Sequence, residues 1–236
     1  MSDRNFWFDK VKVLQRGRKP LIINSNDVPK KVIKDISNSF NLCGYKNRPL
    51  IMGVLNLSPD SFSNVKNIPQ NKLHNYIENI INEGADIIDI GGESTRPYAE
   101  PVSVEEELNR VFPVIEALRS THPEGLISID TRRPQVAKAA LVAGADIIND
   151  VSGLRDPEMV NVVLESGCGV CIMHMQGTPQ TMQKKPEYED CALEVSSQLL
   201  ETARALVAAG HPVECIALDP GIGFGKTLEH NLAVSY

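Results

Sequence analysis

Residues 84–97 read GADIIDIGGESTRP, and this stretch decides the fold class. It starts as the end of a helical segment, continues as a short β-branched run at 86–90, and ends in two glycines and a polar turn. Residues 143–150, AGADIIND, repeat its first half. A repeated joint between a helix and a strand produces such an echo, so we expect a chain built from repeated units.

The same unit recurs from residue 50 onward. Short β-branched apolar runs predict six strands, at 49–55, 86–90, 126–129, 146–148, 169–173 and 215–218. Helical periodicity lies between them, with Ser103 and Glu106 at capping-box spacing, Pro157 at a helix start and a long helix over 188–208. The alternation predicts an α/β fold with a parallel sheet. A doubly wound sheet and a (β/α)8 barrel both fit this pattern, and in both the ligand lies beyond the carboxyl ends of the strands.

Length and composition bound the answer to one sizeable domain. The chain has 236 residues and is 42% hydrophobic, which is enough for a core of its own. It contains no apolar run of about eighteen residues or more, and its start lacks the pattern of a secretory signal. We therefore expect a cytoplasmic protein with no membrane partner. The five cysteines are an odd number and scattered, which favours reduced thiols.

The net charge of −6 hides an asymmetry between the two ends of the chain. Residues 1–49 carry eleven Lys and Arg against four Asp and Glu. We therefore expect a basic N-terminal extension over 1–48, followed by a barrel domain over 49–236. A basic arm can bind nucleic acid or anionic lipid. Here the charges are dispersed among polar and apolar residues, which favours a solvated extension without a nucleic-acid partner.

Polar residues follow each predicted strand, and the fold should bring them to one mouth. They are Asn56, residues 91–96, Asp130, Asn149 with Asp150, His174 and Asp219. Carboxylates and carboxamides pair well with the ring N–H and amino groups of a flat, nitrogen-rich heterocycle. Gly91 and Gly92 permit close backbone approach, and Ser94, Thr95 and Arg96 offer donors suited to a phosphate.

Six ordered motifs closely resemble those of the dihydropteroate synthases. The two signature segments are residues 51–63, IMGVLNLSPDSFS, and residues 84–97. Agreement continues at 128–131, 148–153, 173–179 and 218–226. The resemblance implies a (β/α)8 TIM barrel, of which this chain holds about six of the eight βα units.

The resemblance also implies an activity in folate biosynthesis. Dihydropteroate synthases are transferases that join 4-aminobenzoate to the methylene carbon of 6-hydroxymethyl-7,8-dihydropterin diphosphate, giving 7,8-dihydropteroate and pyrophosphate with Mg²⁺ as cofactor. Sulfonamides target the family. The implied partners are these small-molecule substrates and, in the full-length form, a second copy in a homodimer.

Site residues carry over from the resemblance position by position. Asp130, Asn149 and Asp219 are expected to hold the pterin ring, with Met173 and Phe224 packing nearby and Asn56 on the metal. Ser94, Thr95 and Arg96 are expected to face the diphosphate, and Phe62 and Pro97 to form the aminobenzoate pocket. Asp130 and Arg96 are the expected catalytic residues, because charge develops on the pterin and on the leaving group.

Three other patterns have weaker functional interpretations. Residues 221–227, GIGFGKT, look like a P-loop, but that motif requires glycine where Pro220 stands. Cys168 and Cys171 have the spacing of a redox motif, yet they enter a predicted buried strand, which favours structural cysteines. His174 could act as a base, although a structural histidine in the pocket wall is favoured.

The chain also departs from the family it resembles. Strands seven and eight normally supply Lys and Arg/His segments, which are absent here. Residues 64–66 are NVK in place of Asp-Gly-Gly, and Tyr98 stands where a glycine is expected. Besides the synthase, two interpretations therefore stay open. One is a non-catalytic pterin-binding fragment or pseudoenzyme, and the other is a pterin-dependent methyltransferase, which has no diphosphate for Arg96 to hold.

Overall fold

A computed structural model describes residues 10–13, 18–32, 41–42, 45–46, 49–58 and 70–235. The chain divides into two compact units, Met1–Pro49 and Leu50–Tyr236. In the first unit, Lys10–Val13 pairs antiparallel with Leu21–Asn24, and Asn41–Leu42 pairs antiparallel with Tyr45–Lys46. The sequence did not predict these pairs, which are short and, at Leu21 and Ile22, well exposed. No helix in the described ranges is long and apolar enough to cross a membrane.

Six parallel strands form the sheet of the second unit, as the sequence predicts. They are β1 (Met52–Asn56), β2 (Ile87–Gly91), β3 (Leu126–Asp130), β4 (Ile147–Asp150), β5 (Gly169–Met173) and β6 (Ile216–Asp219). A helix follows each strand. The helices are α1 (Gln70–Asn82), α2 (Val104–Thr121), α3 (Pro134–Ala143), α4 (Pro157–Ser166), α5 (Cys191–Ala208) and α6 (Leu228–Val234).

The order of the strands decides between the two fold classes that the sequence leaves open. Each strand pairs with the next along the chain, from β1 to β6, and all neighbours are parallel. A doubly wound sheet reverses its strand order at a central point, whereas a barrel winds in one direction. The second unit therefore has the winding of a (β/α)8 barrel and holds six of its βα units. Among the described residues no ladder joins β1 to β6.

The helix starts follow the sequence with one difference. Asp156 caps α4 ahead of Pro157, with its side chain accepting from the Glu158 amide. At the start of α2, Ser103 Oγ accepts from the amide of Glu106 at 3.1 Å, which is half of the predicted capping box. The carboxylate of Glu106 is engaged by Arg110.

The core and the mouth of the barrel come from adjacent rows of the same sheet. One register row, which crosses the strands from β1 to β5, is fully buried against the helices: Leu55, Ile90, Ile129, Ile148 and Val170. Because successive strand residues point to opposite faces, the next row faces the barrel interior. That row consists of Asn56, Gly91, Asp130, Asn149, Cys171 and Ala217.

Candidate active site at the strand ends

The interior row brings predicted site residues together at the carboxyl ends of the strands. Asn56 pairs in register with Gly91, Gly91 with Asp130, and Asp130 with Asn149. Neighbouring strands lie about 4.8 Å apart, so these side chains share one mouth. Asp219 is paired with Met173 one layer further out on the same face. Gly91 lies directly beside Asp130, since a Cβ there would be in van der Waals contact with Asp130 Oδ2 at 3.4 Å.

Short polar side chains turn the chain as it leaves the strands. Asn56 Oδ1 accepts from the Ser58 amide at 2.9 Å, and Asp219 Oδ1 accepts from the Gly221 amide at 2.7 Å. Asp150 does the same for Ser152 at 2.7 Å. Asn and Asp favour such turns because their oxygens satisfy backbone amides two residues on. The other oxygen of Asp150 accepts from the Leu154 amide at 2.9 Å.

Asp130 is a member of the row, and its pKa is shifted by burial and by neighbouring carboxylates. Burial raises its pKa well above the ordinary value, and the negative charges of Asp89, Glu107, Asp150 and Glu93 raise it further. Its Oδ1 is buried without a hydrogen-bond partner among the described residues. An orphaned buried acceptor is expensive, so a ligand with N–H groups suits this position.

Asp89 lies two residues before Gly91 in β2 and fixes the neighbouring amide. Asn149 Nδ2 donates to Asp89 Oδ2 at 3.0 Å. The Asn149 carbonyl oxygen is therefore turned away from Asp89. Burial raises the pKa of Asp89, which is 3% exposed, and its Oδ1 has no partner in the described part of the chain. The barrel interior thus holds two buried carboxylates whose pKa values are raised.

An apolar wall closes one side of the mouth. Val151, Met173, Met175 and Met182 form a buried cluster, and Phe224 packs against it. Methionine adapts its shape to flat ligands because its side chain is unbranched and polarisable. Met173 and Phe224, both predicted from sequence, therefore lie in the same cluster.

Lys226 ties the turn after β6 to the end of β5. Its Nζ donates to the carbonyl oxygens of His174 at 3.2 Å, Gly221 at 3.0 Å and Phe224 at 3.0 Å. It also lies 3.1 Å from His174 Nδ1. Burial and the adjacent Lys226 lower the pKa of His174 to about 4, so this ring is neutral, and its Nδ1 competes with the carbonyl oxygens for the three N–H groups of the ammonium. The geometry favours the structural interpretation of His174.

Residues 92–102, between β2 and α2, form a loop that carries the predicted phosphate-binding side chains. Ser94 is buried, and its Oγ has no partner among the described residues. Arg96 and Pro97 are exposed at the tip. Tyr98 has a φ of +67°, a left-handed conformation that favours glycine. Its amide donates to Pro179 O at 3.1 Å, which links this loop to the segment after β5.

Comparison with known proteins shows which family this chain belongs to. The family model described as "Pterin binding enzyme" matches residues 52–236. The chain belongs to the pterin binding enzymes. It is 47% identical over 189 residues to the dihydropteroate synthase of Escherichia coli K12, a match that covers 79% of this chain and 66% of that protein.

Solved dihydropteroate synthases share the fold of this pterin binding enzyme. The structure from Burkholderia cenocepacia, complexed with 7,8-dihydropteroate, matches with a TM-score of 0.71 and 44% identity over 83% of this chain and 68% of that one. The structure from Xanthomonas albilineans, with 4-aminobenzoic acid, matches with a TM-score of 0.72 and 40% identity over 82% and 70%. The recognition of a dihydropteroate synthase relative and the barrel class are thus confirmed.

Apart from Phe224, which packs against the methionine cluster, the predicted site residues of this pterin binding enzyme fall into three groups. The strand-end residues Asn56, Asp130, Asn149, Asp219 and Met173 share the barrel mouth. Ser94, Thr95, Arg96 and Pro97 lie together on the loop after β2. Phe62, like residues 64–66, lies outside the described residues. The functional roles of all three groups stay predictions.

Two residues at or near the mouth, Asp89 and Cys171, were missed from the sequence, and Glu93 was expected there without its partners. Asp89 could have been found from the sequence. It is a charged residue within an apolar run, and it lies two positions before Gly91, so both residues face the barrel interior. The two arginine partners of Glu93 had no sequence signal, because they lie about forty residues away. Cys171 belongs to the interior row because of the register of the strand pairing, which the sequence does not show. Its pKa is raised to about 12 by burial and nearby carboxylates, so the thiol is unreactive, and Cys168, Cys171, Cys191 and Cys215 are free.

Proposed function

We propose that this chain carries the dihydropterin-binding site of a dihydropteroate synthase. In the reaction, the amine nitrogen of 4-aminobenzoate bonds to the methylene carbon of 6-hydroxymethyl-7,8-dihydropterin diphosphate. The bond from that carbon to oxygen breaks, pyrophosphate leaves, and the amine loses a proton. The chain spans about two thirds of the E. coli synthase, so activity, substrates and partners are part of the proposal.

The single observation that carries the proposal is the orphaned Oδ1 of Asp130 within the polar row. A dihydropterin offers ring N–H and amino donors to Asp130 and Asp219 and complements the amide of Asn149. Met173 and Phe224 would pack on its face. The relatives crystallised with 7,8-dihydropteroate and with 4-aminobenzoic acid support these ligands.

The diphosphate would be held by the loop after β2. Ser94 and Thr95 supply hydroxyl and amide donors, and Arg96 supplies a guanidinium at the exposed tip. The buried, unpaired Oγ of Ser94 is compatible with this role. Phe62 and Pro97 would border 4-aminobenzoate, and Pro97 adjoins Arg96 as this arrangement requires.

Mg²⁺ fits the donor set at Asn56. One lone pair of its carboxamide oxygen accepts from Ser58, which leaves another for a hard cation. Mg²⁺ keeps several waters and needs only one or two protein ligands beside phosphate oxygens, so a cluster of three acidic ligands is not required. When bound, the ion would neutralise charge on the leaving pyrophosphate.

Asp130 and Asp219 would stabilise the electron-poor pterin as the carbon–oxygen bond breaks. Their carboxylates are fixed before the reaction, Asp219 by the Gly221 amide and Asp130 by its place in the strand. Preorganised polar groups aimed at developing charge lower a barrier by up to about 3 to 4 kcal/mol per group. We also propose that the protein is cytoplasmic. Residues 49–236 would form the catalytic domain and residues 1–48 an extension, and the full-length form would be a homodimer.

A non-catalytic pterin-binding protein is the second candidate, because the outer strands expose apolar side chains. Val54 in β1 is 61% exposed and Leu218 in β6 is 40% exposed, whereas the corresponding positions of the central strands are mostly buried. Exposed strand edges are unfavourable in an isolated protein.

A two-armed assay separates the candidates. The chain as it stands, and the same chain continued by the E. coli residues beyond the matched region, are incubated with both substrates and Mg²⁺, and 7,8-dihydropteroate is followed by chromatography. We expect the continued chain to form product and its Asp130→Asn variant to lose it. Pterin binding by both arms without product in either would support the non-catalytic candidate, and no binding in either would reject both.

A further inference from the structure

A buried ion cluster holds together the two ends of the loop formed by residues 92–102. These two joined ends are called the neck of the loop. Glu93, near its start, accepts through Oε1 from the amide of Val102, at its end, at 3.1 Å. Arg133 Nη2 donates to the same Oε1 at 2.7 Å and to the carbonyl oxygen of Val102 at 2.6 Å. Residues nine positions apart are thus tied by one carboxylate and one guanidinium.

The neck is anchored to the barrel by further buried groups. The other guanidinium nitrogen of Arg133 bonds to Glu107, which is fully buried in α2 and also accepts from Thr131 Oγ1 at 2.6 Å. Arg110 Nη1 donates to the carbonyl oxygen of Gly92 at 2.6 Å. The loop therefore begins and ends at a fixed place relative to β3 and α2.

Both carboxylate oxygens of Glu93 already accept hydrogen bonds from protein groups. Its Oε2 accepts from Arg132 Nε at 2.9 Å, while Oε1 serves Val102 and Arg133. Burial would raise the pKa of Glu93, but the two arginines outweigh it and lower the pKa, so the group is charged. Buried ion clusters add little stability over well-packed apolar side chains, which makes a geometric role the better explanation.

We propose that Glu93 is a positioning residue for the diphosphate subsite. By closing the neck with Arg133, it sets where Ser94, Thr95 and Arg96 stand without touching the ligand. The inference rests on the proposed function, because it assigns those three residues to the diphosphate. A displacement of about 1 Å in such groups is enough to weaken their action strongly.

The test compares two probes on the Glu93→Gln variant of the whole chain by calorimetric titration. Inorganic pyrophosphate, with Mg²⁺ present, reports the loop, and 6-hydroxymethyl-7,8-dihydropterin, which lacks the diphosphate, reports the strand-end row. Glutamine keeps the size of the side chain but offers one acceptor oxygen, so the neck loosens. We expect pyrophosphate affinity to fall about tenfold or more while pterin affinity stays within about twofold.

Asp146→Asn is the matched control. Asp146 Oδ2 also accepts from an arginine, Arg119 at 2.6 Å, and from a backbone amide, Ile127 at 2.8 Å, but it lies at the opposite ends of the strands. Asp146→Asn should lower the unfolding temperature and leave the ratio of pyrophosphate affinity to pterin affinity unchanged. Arg132→Gln, which removes a partly exposed partner of Glu93, provides a milder second variant and should shift the ratio in the same direction.

The outcomes are distinguishable. If wild type binds both probes and the Glu93 and Arg132 variants weaken both in parallel, the role is structural only and the inference is wrong. If Glu93→Gln does not fold, the Arg132→Gln ratio decides. If wild type binds neither probe, the proposed function fails and this inference fails with it.

Discussion

His174 shows how one buried residue makes the stability of the barrel depend on pH. It is 3% exposed and its pKa is lowered to about 4 from an ordinary 6.5, because burial and Lys226 disfavour its charged form. As the pH falls, the His174 ring takes up a proton in the unfolded chain before it does so in the folded chain. The free energy of unfolding is therefore fully retained above the unfolded pKa and falls as the pH drops from about 6.5 towards 4.

His174→Gln therefore removes part of the acid sensitivity. Between about pH 7 and about pH 5, wild type should lose about 2 kcal/mol more of its unfolding free energy than the variant. Urea denaturation of both proteins at the two pH values measures the difference. Equal losses would show that His174 is readily protonated in the folded protein.

Tyr98 is a residue that the local backbone does not favour. Its φ of +67° suits glycine, and its side chain is 63% exposed, so little packing is lost when it is removed. Tyr98→Gly should be more stable than Tyr98→Ala by about 1 kcal/mol, because only glycine adopts this conformation without strain. Thermal unfolding of the two variants compares them directly. A Tyr98→Ala protein as stable as Tyr98→Gly would mean that the loop relaxes.

At the scale of elements, the turn from β6 to α6 depends on a close approach to the end of β5. Gly221 has a φ of +67°, and a Cβ there would lie 2.1 Å from the carbonyl oxygen of His174. Gly223 has a φ of +85°, but apart from its chain neighbours no described residue has a heavy atom within 4 Å of its Cβ position. The two glycines therefore separate backbone strain from steric overlap.

Gly223→Ala should cost about 1 to 2 kcal/mol from backbone strain alone, and Gly221→Ala should cost clearly more. Gly221→Ala should also weaken pterin binding, since the Gly221 amide positions Asp219. Chemical denaturation and pterin titration on both variants give the comparison. Similar values for the two would contradict the close approach.

Lys226 holds the same element from its other end. Lys226→Met keeps the length of the side chain but leaves three carbonyl oxygens without their shared donor. We expect a loss of about 2 to 4 kcal/mol in the free energy of unfolding, measured by denaturation at neutral pH. Lys185→Met, at an exposed lysine, is the control and should change stability by less than about 0.5 kcal/mol. A small effect at Lys226 would mean that water replaces the ammonium.

At the scale of the whole molecule, much of the fold follows from the sequence. Local periodicity fixed six strands and the helices after them, and parallel pairing placed Asn56, Asp130 and Asn149 at one end. Local patterns did not fix the sheet order, which depends on contacts between distant units and separates a barrel from a doubly wound sheet. The cluster around Glu93 and the link from Asp89 to Asn149 were also hidden, because their partners are distant in sequence.

The central claim is that side chains from separate strand ends meet around one dihydropterin ring, with Asp130 at the centre. Titration of 6-hydroxymethyl-7,8-dihydropterin into wild type, Asp130→Asn and the control Asp146→Asn tests it most directly. We expect wild type and the control to bind alike and Asp130→Asn to bind at least about tenfold more weakly, as loss of a buried carboxylate acceptor implies. Equal affinity of Asp130→Asn and wild type would contradict the account.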